Sequence, residues 1–244
     1  MLDLQVLELA NVIEHRHSCR LPFDPRRRIP DQDLQRLLEA ARWAPTVHNM
    51  QNFEIVVVDD QQIVNELGAV RALPSEAFLR ENYAQLSFSE DELRRKRTGV
   101  LAEMFPPSWR TPSPRPEDAA DAAHSFLGRS LQSSPVLLMV IYDTRRRAPA
   151  SEGDVLGIMS LGCVLQNIWL MATALGIGVQ ILSALSGEEV ESRVRRLLDI
   201  PGHMKIAFAC RLGYPGTLLG SYLRVRREVQ EFTHYNHYAS RAPL

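Results

Sequence analysis

Lysine is almost missing from this sequence, and no excess of positive charge marks it as a nucleic-acid binder. Only Lys96 and Lys205 are lysine among the 28 basic residues of 244, and the net charge is -1. Binding to the phosphate backbone of nucleic acid needs a clustered basic excess, so we do not expect nucleic acid as a partner. Phosphate recognition would instead depend on arginine, whose planar guanidinium donates paired hydrogen bonds.

Cysteine is also scarce, and its placement argues against a disulfide framework and against a zinc site. Cys19, Cys163 and Cys210 are far apart and show neither a CxxC pair nor Cys/His zinc spacing. His234 and His237 lie three residues apart without an evident carboxylate or cysteine partner, so we favour aromatic packing and expect no metal. Reduced thiols, and an N-terminus without the pattern of a signal peptide, predict a cytoplasmic protein.

Several motifs that bind nucleotides or carry catalysis are missing. The sequence has no G-x-G-x-x-G after a strand, no Walker loop, no G-x-S-x-G elbow and no H-E-x-x-H. Gly176 and Gly178 follow a predicted helix and lack the third glycine of a dinucleotide-binding turn. A Rossmann domain is therefore not expected.

Charge is absent from residue 155 to residue 187, a run long enough to span a membrane. Gln166, Asn167, Thr173 and Gln180 interrupt the run, and its flanks are acidic instead of basic, which argues against a membrane span. We therefore predict a helix over about 154–175 that is buried on all sides, as in the core of an oligomer interface.

Hydrophobic periodicity predicts an α+β (mixed α/β) fold in which helices wrap a sheet, within a single domain covering 1–244. Hydrophobic periodicity is weak over about 70–130, a stretch that contains many prolines, and this stretch is predicted to be a lid or insertion. Residues 214–244 are predicted to form a C-terminal tail with regular structure. Strands are predicted at 54–58, 135–142, 179–185 and 205–212, and helices at 4–13, 31–44, 118–132, 154–175 and 187–200.

Three short segments carry the side chains that could bind an anionic ligand. Arg16, Ser18 and Arg20 place two guanidinium groups and a hydroxyl at a helix end, which suits a phosphate monoester but also an ordinary basic helix terminus. The loop over 45–51 is rich in backbone and amide donors, although a plain connection is the default interpretation. Arg224, Arg226 and Arg227 form either a second phosphate site or an exposed charge run.

Taken in order, these pieces resemble the nitroreductase family of flavoproteins. The stretch RHSCRLPF resembles the family's opening signature, R-x-S-x-R with a phenylalanine after it, APTVHNMQNFEIVVV its APS-x-x-N-x-Q-P-W loop and strand, and CRLGYP with RVRR and HYN its ending. The resemblance covers nearly the whole chain except the lid. Two departures are that Asn52-Phe53 stands where the family has Pro-Trp, and that Thr46 replaces a serine but keeps the hydroxyl.

The resemblance implies a nitroreductase-like sheet in an intertwined homodimer that binds FMN, with NAD(P)H as co-substrate. Arg20 would lie near the pyrimidine edge of the flavin and help to set its potential. The FMN-binding residues implied for the phosphate and ribityl end are Arg16, His17, Ser18, Arg224 and Arg226. Those implied for the loop that reaches the flavin, partly from the opposite subunit, are Pro45, Thr46, Val47, Asn49 and Gln51. Those implied for the flavin N5 edge are Leu182, Ser183 and Ala184.

The same resemblance implies ping-pong reduction of a small organic acceptor, such as a nitroaromatic or a quinone. Flavin N5 would carry the chemistry, so no acid or base side chain is expected to be indispensable. The lid, with Tyr83, Phe105 and Trp109, would choose the acceptor. Alternatives are a dehydrogenase, a dehalogenase or a flavin-cleaving enzyme on the same scaffold, an FMN-binding protein without turnover, and a helical interaction protein without a cofactor.

Overall fold

The computed structural model describes residues 2–70, 85–104, 128–149, 152–182, 185, 188–216 and 223–240. The chain divides into two compact units, the first made of 1–72 and 124–218 and the second of 73–123 and 219–244. The expectation of one domain with a lid over about 70–130 stays a prediction. Tyr83, Phe105, Trp109 and residues 118–127 lie outside the described residues, whereas 128–132 are helical as expected.

The first unit holds a four-stranded sheet with helices on both sides. Its helices are α1 Leu2–His15, α2 Asp31–Arg42, α3 Gln61–Gly68, α5 Val155–Ala174 and α6 Glu188–Leu197. Its strands are β1 Phe53–Val58, β4 Val136–Asp143, β5 Gly178–Ile181 and β6 Met204–Gly213, and short 3-10 turns occur at Val47–Asn49 and Glu152–Asp154. The strand order is β1-β4-β6-β5, and every neighbouring pair is antiparallel.

Strand β4 lies in the middle of the core, and its alternating side chains separate two hydrophobic layers. Leu138 and Val140 face a cluster that includes residues of α2 and α5. Leu137 and Met139 face the other cluster, to which α3 and α6 contribute. A strand buried on both faces needs a continuous apolar run instead of alternation, and β4 has one. The predicted α+β fold, a sheet wrapped by helices, is thus confirmed.

Helix α2 follows the predicted pattern closely. It begins after Pro30, whose backbone is extended, and Leu37 and Ala41 are buried on the face that packs against α5. Apolar residues at a spacing of three and four place one stripe toward the core. The helix ends at Arg42, two residues before the predicted end at residue 44.

Helix α5 is buried on only one face of the single chain, and its predicted burial on all sides within an oligomer stays a prediction. Leu161 and Ile168 lie in the core, but Val155, Ile158 and Met159 are 57%, 60% and 60% exposed. Both faces are apolar, so the sequence pattern did not distinguish the core face from the exposed one. By length and composition alone the helix could also cross a membrane, a test that core helices of soluble proteins pass as well.

The start of α5 has no side-chain cap from Asp154. Asp154 has the left-handed backbone angles φ 57 and ψ 26, and its side chain makes no capping hydrogen bond with the helix. Its carboxylate instead accepts a hydrogen bond from the Ala148 backbone N–H at 3.2 Å. The carboxylate therefore holds the loop before the helix instead of capping the helix itself.

The second unit ties part of the C-terminal tail to a short helix. Its elements are β2 Ser87–Phe88, α4 Glu90–Lys96 and β3 Val100–Leu101, with 3-10 turns at Ala102–Met104 and Val229–Glu231. Ser89 and Glu92 form a reciprocal capping box at the start of α4. Arg97, which ends α4, pairs with Glu228 at 3.0 Å and with Glu231 at 2.5 Å. The described part of the tail is therefore ordered by ion pairs within its own unit.

Asn52, just before β1, is buried at 3% exposure, and neither its amide oxygen nor its amide nitrogen has a hydrogen-bond partner in the described structure. A buried amide without partners lowers stability by about 1–3 kcal/mol. We expect Asn52→Leu, an exchange of similar shape, to leave the free energy of unfolding unchanged or higher in urea titrations. Asn167→Leu is the matched control, because its amide donates to the Ala40 carbonyl at 3.0 Å and its loss should destabilise by about 1 kcal/mol. A larger loss in Asn52→Leu than in the control would contradict the expectation.

Candidate functional site

The segment Arg16–Arg20 leaves α1 and lies along α5. The guanidinium of Arg16 lies over the ring of Trp169 at 4.7 Å, within the range of a cation–π contact. The indole N–H of Trp169 donates to the backbone carbonyl of His17 at 3.1 Å. One tryptophan on a buried helix thus fixes both the side chain of Arg16 and the backbone that follows it.

Beyond His17 the segment joins the edge of the sheet. Ser18 forms a parallel bridge with Val179 of β5, and the Cys19 N–H donates to the Val179 carbonyl at 2.8 Å. Side chains alternate along extended backbone, so the full burial of Cys19 turns Ser18 and Arg20 away from the core. Both of these side chains are partly exposed. A hydroxyl and a guanidinium are therefore presented on the same side.

A buried arginine in β6 holds the backbone of this segment by hydrogen bonds. Arg211 is fully buried, and each of its five N–H donors has an acceptor at a hydrogen-bonding distance. The acceptors are the Gln180 amide oxygen (2.6 Å), the Ser130 carbonyl (3.1 Å), the Ser133 hydroxyl (3.4 Å), the Cys19 carbonyl (3.1 Å) and the Leu21 carbonyl (2.7 Å). One guanidinium nitrogen thus holds two alternate carbonyls of the Arg16–Leu21 backbone.

Phe23 completes the attachment through two glycines that face each other across β5 and β6. Gly178 pairs with Gly213, and a Cβ on either would lie 2.6 to 2.7 Å from the Phe23 ring. The ring also stacks on the Arg211 guanidinium at 4.2 Å. Because Gly178 and Gly213 have no side chains, the Phe23 ring has room to be buried against them.

The second predicted segment, the loop over 45–51, has a constrained backbone. His48, Asn49 and Gln51 have positive φ angles of 47, 52 and 45 degrees. Such left-handed conformations are costly for side chains other than glycine and occur often at binding sites. The Gln51 N–H donates to the Thr46 hydroxyl at 3.1 Å, and its side-chain amide donates to Asn49 at 3.0 Å. The loop is thus held by its own polar side chains, while Pro45, Asn49 and Gln51 stay exposed.

Both segments make hydrogen bonds to helix α5. The Val47 N–H donates to the Ser160 hydroxyl of α5 at 3.0 Å, and Trp169, nine residues further on, contacts Arg16 and His17. At a rise of 1.5 Å per residue these contacts lie about 14 Å apart along the helix axis. The predicted loop and the predicted arginine segment are therefore both fixed by the same helix.

The residues predicted for a flavin N5 edge are described in part. Leu182 is buried, and its N–H donates to the Ala209 carbonyl at 2.8 Å, which extends the pairing of β5 with β6. Ser183 and Ala184 lie outside the described residues. The role predicted for this stretch stays a prediction.

Arg224 and Arg226 belong to the second unit, where both are exposed. Arg226 donates to the carbonyl of the preceding Val225 at 2.7 Å, and the guanidinium of Arg227 lies 5.5 Å from the Phe232 ring. His234 packs against the Tyr238 ring at 4.6 Å. Across the described ranges, no group of three His, Cys, Asp or Glu residues could hold a metal ion.

The cysteines are free thiols, and the two near the site are shielded. Burial raises the pKa of Cys19, although the Leu21 N–H and the nearby Arg211 charge act in the opposite direction. Burial also raises the pKa of Cys210, to about 12. Both thiols stay protonated near neutral pH, so neither is suited to act as a nucleophile.

Sequence reasoning assigned no role to the residues that hold the segment in place, namely Trp169, Arg211, Gln180 and Phe23. One signal was present: Arg211 is a charge inside a strand, KIAFACRL, that is otherwise apolar after its first residue. A charge in such a strand must find several acceptors if it is buried. The sequence does not say which carbonyls they are.

An antiparallel sheet between helical layers, with an arginine- and hydroxyl-bearing segment fixed at its edge, defines an α+β protein with a candidate anion-binding site. The Nitroreductase family model matches residues 13–214, and the chain belongs to that family. An NADPH-dependent oxidoreductase of Staphylococcus haemolyticus is 22% identical over 95% of this chain and 74% of its own length.

Solved nitroreductase structures have the same fold. A nitroreductase with bound FMN from Bacteroides fragilis matches with a TM-score of 0.57 at 20% identity, covering 93% of this chain and 98% of that one. A nitroreductase with bound FMN from Desulfitobacterium hafniense matches with a TM-score of 0.56 at 22% identity, covering 94% and 98%. The nitroreductase-like fold expected from the sequence is thereby confirmed.

We expect Gly213→Ala to displace Phe23, because the new Cβ would lie 2.6 Å from the ring and 2.7 Å from the Phe23 Cβ. Overpacking of this kind costs about 1–3 kcal/mol of unfolding free energy. Gly202→Ala is the control, since nothing lies within 4 Å of its added Cβ. Urea titration of both variants tests this, and equal stability of the two would show that Phe23 does not depend on the glycine.

Proposed function

We propose that the protein is an FMN-dependent oxidoreductase that uses NADH or NADPH to reduce nitroaromatic, quinone or related small organic acceptors by a two-electron ping-pong mechanism. The observation that carries the proposal is the fixed Arg16–Arg20 segment, which presents phosphate-binding groups and is attached to the same helix as the constrained loop over 45–51. Family membership supports the same cofactor, because solved relatives of this fold contain FMN. The name of the Staphylococcus relative supports a nicotinamide donor.

The donor set suits FMN chemically. A phosphate monoester is bound best by charged, forked donors, which Arg16 and Arg20 provide, and the Ser18 hydroxyl suits a phosphate or ribityl oxygen. His17 stands between them with its backbone held by Trp169. The exposed amides of Asn49 and Gln51 suit the polar edge of a flavin ring, and Thr46, Val47 and Pro45 complete that loop. We assign Arg224 and Arg226 of the tail to the same phosphate, and Leu182, Ser183 and Ala184 to the N5 edge.

When bound, FMN supplies the hydride-accepting chemistry. The tasks of the chain are to hold the ring, to bias its charge and to limit access of water. Arg20, presented on the same side as Ser18, would stabilise negative charge at the pyrimidine edge, because a fixed cation acts strongly where water is excluded. We assign no general acid or base to the chain.

We propose further that the enzyme is a homodimer. Apolar residues of α1, including Leu4, Leu7 and Ile13, are exposed, and α1 contacts α5, whose Ile158 and Met159 are also exposed. Large exposed apolar surfaces mark contacts with partners more often than free surface. A second copy that pairs α1 and α5 with their equivalents would bury these residues.

Reduced thiols support a cytoplasmic location.

The first experiment is the absorbance spectrum of the purified protein, before and after FMN is added and then under anaerobic NADH or NADPH. We expect a flavin band that bleaches with at least one nicotinamide and returns when a quinone or nitroaromatic is added. A band that never bleaches would favour a flavin-binding protein without turnover. Bleaching without transfer to any acceptor would favour dehydrogenase, dehalogenase or flavin-cleaving chemistry. Failure to bind FMN at all would overturn the proposal.

Removal of a phosphate-binding arginine should weaken FMN binding. We expect Arg16→Ala and Arg226→Ala each to raise the FMN dissociation constant about tenfold or more, because each loses a charge-assisted contact. Arg196→Ala, an exposed arginine of α6 on the other side of the sheet, should change it less than about twofold. Titration of flavin fluorescence measures all three. An Arg16→Ala protein that binds FMN as the control does would remove the segment from the site.

A charge on the exposed face of α5 should separate the dimer. We expect Ile158→Glu to shift the sedimentation coefficient from dimer to monomer, because the interface would have to bury a carboxylate without a partner. Gln61→Glu places the same charge at an exposed position of α3 and should leave the dimer intact. A monomeric unmodified protein at micromolar concentration would count against the homodimer proposal, whatever its FMN content.

A further inference from the structure

We infer that Arg211 is a positioning residue for the flavin site: it holds the Arg16–Leu21 backbone so that Ser18 and Arg20 are presented together to the cofactor. The inference rests on the proposed FMN binding of that segment. Arg211 itself is fully buried inside the sheet; it lies in the CRLGYP stretch that resembles the family's ending, but it is not among the residues that the resemblance implies for FMN binding.

The geometry of the hydrogen bonds carries this inference. One terminal nitrogen of the guanidinium donates to the carbonyls of Cys19 and Leu21, at 3.1 and 2.7 Å. Both carbonyls therefore point toward the same nitrogen, from either side of Arg20. The two contacts thus fix the backbone before and after Arg20. Cys19 is buried, and its neighbours Ser18 and Arg20 are both partly exposed, so the backbone that Arg211 holds is the one that carries these two side chains.

The other donors fix the guanidinium itself. Its Nε donates to the Gln180 amide in β5, and its second terminal nitrogen donates to Ser130 and Ser133 in a separate part of the fold. Ser133 also accepts a hydrogen bond from the Phe23 N–H at 3.4 Å. The planar fork is thus oriented by partners on three sides, so the Cys19 and Leu21 carbonyls meet a donor whose position is already set.

A lysine at this position would keep the charge but not the fork. Its ammonium is a compact point charge on a flexible stem, and it cannot donate along the fixed directions of a guanidinium. Arg211→Lys therefore separates a positioning role from a general need for positive charge in this region. Arg195→Lys is the matched control, because Arg195 is partly buried and donates to the Gly202 carbonyl, at the opposite end of β6.

The experiment compares the two variants with the unmodified protein in three measurements. Urea unfolding of the FMN-free protein gives stability, flavin-fluorescence titration gives the FMN dissociation constant, and amide hydrogen exchange of the FMN-free protein reports the Cys19 N–H. We expect both variants to lose stability. Only Arg211→Lys should weaken FMN binding, by about tenfold or more, and only this variant should accelerate exchange at Cys19.

A purely structural role predicts a different outcome: Arg211→Lys would lose stability as Arg195→Lys does but bind FMN normally when folded, and that result would overturn the inference. Should Arg211→Lys not fold, Gln180→Met loosens the guanidinium without changing the segment. It should weaken FMN binding about threefold and accelerate Cys19 exchange, and no change in either would also overturn the inference. If the unmodified protein binds no FMN, the proposed function fails, whereas the exchange measurement still tests the hold of Arg211 on the backbone.

Discussion

The free-energy cost of burying the Arg211 charge is the constraint on which the arrangement of the candidate site depends. A guanidinium stays protonated at any ordinary pH, so a fold that removes it from water must provide an acceptor for every donor. Here the acceptors come from β5, from the helical residues around Ser130 and from the segment after α1. Segments that are distant in the sequence therefore meet at one side chain, and the candidate anion-binding groups lie on one of them.

Helix α5 has the complementary role, because it connects the site to the surface that we assign to the dimer. Its core face supplies Trp169 to the arginine segment and Ser160 to the loop over 45–51. Its opposite face presents apolar side chains to solvent in the single chain. An interface formed by that face would lie one helix diameter, about 10 Å, from the contacts that shape the site. Dimerisation and cofactor binding would then stabilise the same helix.

The loop over 45–51 and the arginine segment reach defined conformations by different means. The segment is held by contacts from outside, through Trp169 and Arg211. The loop is held mainly by its own side chains, Thr46, Asn49 and Gln51, with one hydrogen bond from Val47 to Ser160 of α5, and it retains three residues with positive φ. Conformations of this kind persist where other contacts compensate for their cost. The shape of the loop therefore depends less on distant parts of the chain than that of the arginine segment does.

The sequence by itself determined the order and type of most elements, the α+β class and the family, because hydrophobic periodicity and short motifs depend on residues near one another in the chain. The predicted strands at 54–58 and 205–212 and the helix at 154–175 agree with β1, β6 and α5 to within a residue or two. Only the tertiary structure decided which face of α5 meets the core, since both faces are apolar. It also decided that the Asp154 carboxylate bonds the Ala148 N–H in the loop before α5. It alone decided the partners of Arg211, because the hydrogen bond to Cys19 joins residues 192 positions apart and depends on strand register, which no local pattern encodes.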